Sequence, residues 1–176
     1  MKLCMFSPHD QDLERGWPGR IDGDRVIQLA AQTLQAFFTG GGQAREHAEY
    51  PLADVVFRAP VLHPPSVRIY DESGDFVFAN PAAIKAVGEE PAVNGAEPVE
   101  RVAAILGADG EIGGFTPLVE WVAPQLQGAK QRDFALVLGP VVATPDEGVP
   151  EGVDWERLVS HAAENTTLYP GDLIVR

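Results

Sequence analysis

Apolar and polar positions along this chain are arranged mostly in short runs, cut by glycine and proline. Two stretches carry the three-and-four spacing of an amphipathic helix. In "AAQTLQAFF", Leu34, Phe37 and Phe38 fall on one stripe, and Gly40-Gly41-Gly42 stops it. "DWERLVSHAAEN" is the clearer helix: Asp154 is a natural N-cap, Leu158, Val159 and Ala162 share a face, and Asn165 ends it. The other patterned segments read as strands. "IDGDRVIQL" has an Asp-Gly turn signal inside a hairpin-like pattern. Val99 to Leu106 reads as a buried strand, followed by an Asp109-Gly110 turn and a return strand. "DFALVLGPVVAT" is a strand run with a Gly-Pro break, and "TLYPGDLIV" a final turn and strand. Residues 1–19 read as irregular, "QAREHAEYPLADV" as a connecting segment, and "VVFRAPVLHPPSVRIY" as extended pieces broken by proline. The 18 glycines and 15 prolines are spread along the chain, which favours a β-rich fold over a helix bundle. The class expected is α+β, with a small N-terminal unit over residues 1–50 and a β-rich domain over 51–176.

Charge narrows the partners. Asp and Glu number 26 against 13 Lys and Arg, a net charge of −13, and no basic run occurs. Nucleic acid and anionic membranes need cationic contacts, so both are poor partners. No run approaches a membrane span, and "MKLCMFSPHD" lacks a signal-peptide core. The lone Cys4 forms no intramolecular disulfide, which with the missing leader points to the cytoplasm.

Local chemistry is sparse. His9 lies near Asp10, Asp12 and Glu14 in what reads as a solvated polar loop. His47 sits among mixed charges, His63 precedes two prolines, and His161 falls on the C-terminal helix. A His–carboxylate dyad formed in space by His9 or His161 stays open. Cys4 has no Cys-x-x-Cys partner, the three-glycine run lacks a following Lys-Ser/Thr, and no Gly-x-Ser-x-Gly occurs.

Five phrases, in order, resemble the fumarylacetoacetate hydrolase family: "APVLHPPSVR" (59–68), "FVFANPAAI" (76–84), "AAILGADGEIGGFT" (103–116), "GAKQRDFALVLGPVVATPDE" (128–147) and "TLYPGDLIV" (167–175). "IDGDRVIQL" resembles the family's small N-terminal domain. The resemblance implies a mixed β-roll. It also implies cleavage, decarboxylation or isomerisation of β-dicarbonyl acids on a carboxylate-held divalent cation. Such a hard cation takes oxygen ligands and polarises a chelated 2-oxo acid, while a His–Glu pair activates water.

Carried over residue by residue, that site is incomplete. The family's Glu-x-Glu ligands fall on Val99 and Arg101, with Glu100 between them and, by strand alternation, on the opposite face. The third acid falls on Glu120 in "GGFTPLVEW", and the family's lysine and nearby aspartate on Lys130 and Asp133. "IYDESGD" replaces the segment that bears the family's His and Glu, leaving Asp71 and Glu72 without an imidazole. The sequence stops at "PGDLIVR", before a substrate-contacting loop of the family. The reading is therefore a family-like protein with an eroded metal site, non-catalytic or repurposed. It would bind a small organic acid through Lys130 or partner an active paralogue, with no cofactor. One alternative is a Mg²⁺- or Mn²⁺-dependent hydrolase, decarboxylase or isomerase of an acylpyruvate-like acid, built on Glu120, Glu100, Lys130 and Asp133. Another is a structural or assembly protein, for example a homodimer. Whether the chain is an enzyme stays open at this level.

Overall fold

A computed structural model describes residues 1–89, 91 and 93–176. The described strands are β1 (Lys2–Pro8), β2 (Trp17–Asp22), β3 (Arg25–Leu29), β4 (Glu46–Pro51), β5 (Val55–Arg58), β6 (Val67–Tyr70) and β7 (Phe76–Ala79). They continue with β8 (Ile84–Lys85), β9 (Glu97–Leu106), β10 (Ile112–Val122), β11 (Leu136–Leu138), β12 (Val142–Ala143) and β13 (Leu173–Val175). Two α-helices, α1 (Leu34–Thr39) and α2 (Trp155–Ala163), accompany them. All 13 strands join one mixed sheet whose main path runs β4-β3-β2-β1-β12-β10-β9-β13-β6-β7. This is the β-rich α+β roll expected. Among the described residues no helix is long and apolar enough to cross a membrane.

The long β9–β10 hairpin is the spine. Its two strands pair antiparallel from Ile112↔Leu106 to Val122↔Glu97, turning through Asp109 and Gly110, both at positive φ. The central strands are covered on both faces, so period-two alternation divides their apolar residues between two cores. Ala103, Ile105, Leu173 and Val175 face the interior of the roll with Leu118, Leu138 and Phe38. Ala104, Leu106 and Ile174 face the other way, onto Trp155, Leu158 and Ala162 of α2. The capping expected at α2 is present: the Asp154 side chain accepts from Arg157 N. In α1, Leu34, Phe37 and Phe38 are the buried face, and Thr33 caps the start.

Two sequence expectations are corrected. Residues 1–19 are not irregular throughout, because β1 and the start of β2 lie there. The pattern is hidden because β1 is buried on both faces. Leu3 and Met5 enter the roll core, while Cys4 and Phe6 join a third cluster with Val26 and Val55. In β2, Pro18 and Gly19 look like breakers, yet Gly19 is there for space: a Cβ would sit 2.4 Å from Val26 Cγ1. The connecting segment likewise contains a strand, β4, which is polar because it lies at the sheet's edge and is largely exposed. β1 pairs with β12 as well as β2 and β5, so the first fifty residues share a sheet with the rest.

Candidate functional site

The register of β9 and β10 decides which side chains meet. Leu118 pairs with Arg101 and Glu120 with Val99, so Val99, Arg101, Leu118 and Glu120 share one face. Val119 pairs with Glu100, which puts Glu100 on the opposite face, where it is exposed. The three positions that the family resemblance assigns to metal ligands therefore converge, but they carry Val99, Arg101 and Glu120.

Glu120 is fully buried, at 0% exposure. A bare carboxylate in that position would be costly, and such groups are retained with a partner. Here the partners are two arginines. Arg101 Nε donates to Glu120 Oε2 at 2.7 Å, across the diagonal of the hairpin. Arg132 Nε lies 3.0 Å from Oε1. That second contact is an ion pair without an aligned hydrogen bond, since Oε1 has no hydrogen-bond partner. Arg132 is delivered by the short 3₁₀ turn Gly128–Gln131, which is pinned by Ala123 N to Gln131 O at 2.7 Å and Arg132 N to Ala129 O at 3.1 Å. Two guanidinium groups and one carboxylate leave this cluster one unit positive.

Lys130 and Asp133 pair with each other, Nζ to Oδ2 at 2.9 Å, with the lysine side chain 77% exposed. Asn80 Nδ2 donates to the Asp133 carbonyl at 3.0 Å, tying this turn to the segment after β7. The recorded polar partner of Lys130 is Asp133, not Glu120. Asp71 is occupied locally: its carboxylate accepts from the Ser73 hydroxyl and from the amides of Ser73 and Asp75. Those hydrogen bonds, the Ser73 hydroxyl first, hold it below the usual carboxylate range. His9 Nε2 meets the Ala53 carbonyl, and His161 packs edge-on to Tyr70 and Phe76. Among the described residues no three His, Cys, Asp or Glu side chains are grouped to hold a metal ion. Burial pushes the Cys4 thiol up to about 12, far from a nucleophile's range.

Arg132 is the member of the cluster that sequence reasoning did not single out. It lies two residues from Lys130, in a turn with no periodic pattern, and only the return of the chain toward β11 brings it onto Glu120.

No family model matches the sequence, and no curated protein matches it. Solved structures do match. Maleylpyruvate hydrolase from Sphingobium sp. SYK-6 superposes with a TM-score of 0.78 at 19% identity, over 99% of this chain and 87% of that one. The same enzyme in complex with manganese(II) and pyruvate gives 0.75 at 20% identity, over 99% and 87%. A 2-keto-3-deoxy-D-arabinonate dehydratase complexed with magnesium and 2,5-dioxopentanoate gives 0.72 at 17% identity, over 99% and 86%. At this identity the likeness is one of fold, and the fold is that of the fumarylacetoacetate hydrolase family.

Proposed function

We propose that this chain uses the fumarylacetoacetate hydrolase fold without its metal chemistry, as a non-catalytic or repurposed protein. The observation that carries the reading is the bond from Arg101 to the buried Glu120, backed by Arg132. A divalent cation of this kind wants six or more oxygens, largely from carboxylates and water. On this face of the hairpin the buried acid is already neutralised by two arginines, Val99 offers no donor, and Glu97, the other acid of the same face, is exposed at the open end of the hairpin. The donor set therefore does not fit Mg²⁺ or Mn²⁺: a second cation would have to displace Arg101 and be repelled by Arg132. The cluster's residual positive charge suits a small organic acid. An anion could be met by the terminal guanidinium nitrogens or by Lys130, with Glu120 serving to hold the arginines in place.

The competing reading is a metal-dependent hydrolase, decarboxylase or isomerase of a β-dicarbonyl acid. It draws on the manganese and pyruvate, or magnesium and oxo acid, named for the similar structures. Titration of Mn²⁺ into metal-free protein, with and without oxalate as an enolate mimic, separates the two. We expect no oxalate-enhanced Mn²⁺ binding and no turnover of acylpyruvates or oxaloacetate at ordinary enzymatic rates. Oxalate-enhanced binding that vanishes in Glu120→Ala would overturn the reading.

A further inference from the structure

The opposite face of the sheet holds a second cationic position that the cluster at Glu120 does not involve. Arg68 on β6 lies directly across from Phe78 on β7 and beside Ile174 on β13, on the side covered by α2. Its residue exposure is 5%. Its one recorded hydrogen bond is from Nη1 to the Ser66 hydroxyl. The buried Asp172 forms only a long ion pair with Nη1, at 4.0 Å, and its two oxygens accept from the Ser66 hydroxyl at 2.6 Å and the Tyr169 amide at 2.7 Å. Among the described residues Nε donates to nothing. A guanidinium has five N–H donors, and buried ones are normally satisfied, so Arg68 is under-partnered for its depth.

Around it is a half-built binding site. The guanidinium carbon lies 5.6 Å from the Phe76 ring centre and 5.1 Å from that of Phe78. Phe78 is nevertheless 67% exposed. Arg68, Phe76 and Phe78 line a surface cavity of about 310 Å³ together with His161 and Glu164 at the end of α2. The cavity thus offers a cation at its base and aromatic walls beside it, one of them turned to solvent. Glu164 on the wall, with a chain of net charge −13, disfavours a ligand carrying two negative charges.

We propose that this cavity binds a planar aromatic monocarboxylate, with its carboxylate on Arg68 and its ring against Phe78 and His161. Planar bidentate recognition of a carboxylate is what a guanidinium does best, and the exposed ring supplies stacking area otherwise lost to water. The site is independent of the reading of Glu120, since it lies on the other face of the sheet.

Benzoate is the probe, followed by backbone amide NMR shifts on the intact chain. Shifts should saturate at millimolar benzoate and map to residues 68, 76–78 and 161–166. Benzamide, which has the ring without the charge, and acetate, which has the charge without the ring, should each bind at least ~10-fold more weakly. Phe78→Ala alters a side chain that is mostly in solvent, so it leaves the fold intact. It should weaken benzoate roughly 3- to 10-fold by removing the stacking wall. Arg68→Met should abolish the response. Equal binding of benzamide, an unchanged affinity in Phe78→Ala, absence of any shift, or shifts centred on Arg101 and Arg132 would each overturn the proposal.

Discussion

Substituting Arg101 by methionine tests directly whether Glu120 is held by arginine. Methionine keeps most of the apolar stem and removes the charge. Glu120 is 0% exposed, so it has no water to turn to, while the Arg101 side chain is itself only 17% exposed. At an effective dielectric of about 20, two unit charges roughly 4 Å apart attract by about 4 kcal/mol. Removing one partner of a buried pair typically costs ~3–5 kcal/mol. Arg132 remains, but its side chain is 39% exposed and it makes no aligned hydrogen bond to Oε1, so it offsets only part of the loss. We expect about 3 kcal/mol, the lower end of that range, which for a domain of this size lowers Tm by about 6–12 °C. Urea unfolding reads it as a fall in midpoint at constant slope. The control is Arg101→Met combined with Glu120→Leu. With the carboxylate gone, Arg132 can swing to solvent and the hairpin face becomes apolar, so the double variant should return to within about 1 kcal/mol of the parent. If Arg101→Met alone costs less than about 1 kcal/mol, or the double variant is no better than the single, Glu120 is neutralised by something other than this arginine and the argument fails.

Restoring acids at the two convergent positions, Val99→Glu with Arg101→Glu, should create Mn²⁺ binding that calorimetry detects and the parent lacks, because three carboxylates then share one face. Cys4 should resist thiol reagents in the folded chain and react on unfolding, since burial raises it from 9.0 to about 12. Above pH 9 the unfolded chain loses this proton and the folded chain does not, so stability falls by about 1.4 kcal/mol per pH unit between those values, a slope that Cys4→Ala should flatten in pH-dependent urea titrations. Gly113→Ala should destabilise by about 1–3 kcal/mol in the same assay, because the new Cβ would lie 2.7 Å from the Phe38 ring that docks α1 on the sheet.

What could be read from the residues depended on how many neighbours each signal needed. Helix α2 was legible because Asp154, the Leu158–Ala162 face and Asn165 are local signals that agree. The β9–β10 hairpin was legible because a buried run, an Asp-Gly turn and a second apolar run follow one another in sequence. Strand β1 was not, since burial on both faces erases its alternation, and its partners lie at residues 17–20, 55–58 and 142–143. At the candidate site, the family resemblance named Val99, Arg101 and Glu120 as one set, and strand alternation alone set Glu100 apart. That the three share one face follows from the β9–β10 register, which the structure shows. Arg132 depended on the path of a 3₁₀ turn, which no pattern in "GAKQRD" announces.

The retained acid at position 120 is easily taken for a surviving ligand, but its burial makes the opposite inference stronger. A carboxylate at 0% exposure needs a permanent counter-charge whether or not the protein does chemistry. A metal supplies that charge only while it is bound. An arginine on the next strand supplies it continuously, from the moment the hairpin closes. Once position 101 is arginine, Glu120 is required for Arg101 as much as the reverse, because Arg101 is itself largely buried and its Nε has Glu120 as its recorded partner. The burial of Glu120 is thus accounted for by its pairing with Arg101, and Glu120 by itself is no argument for metal binding.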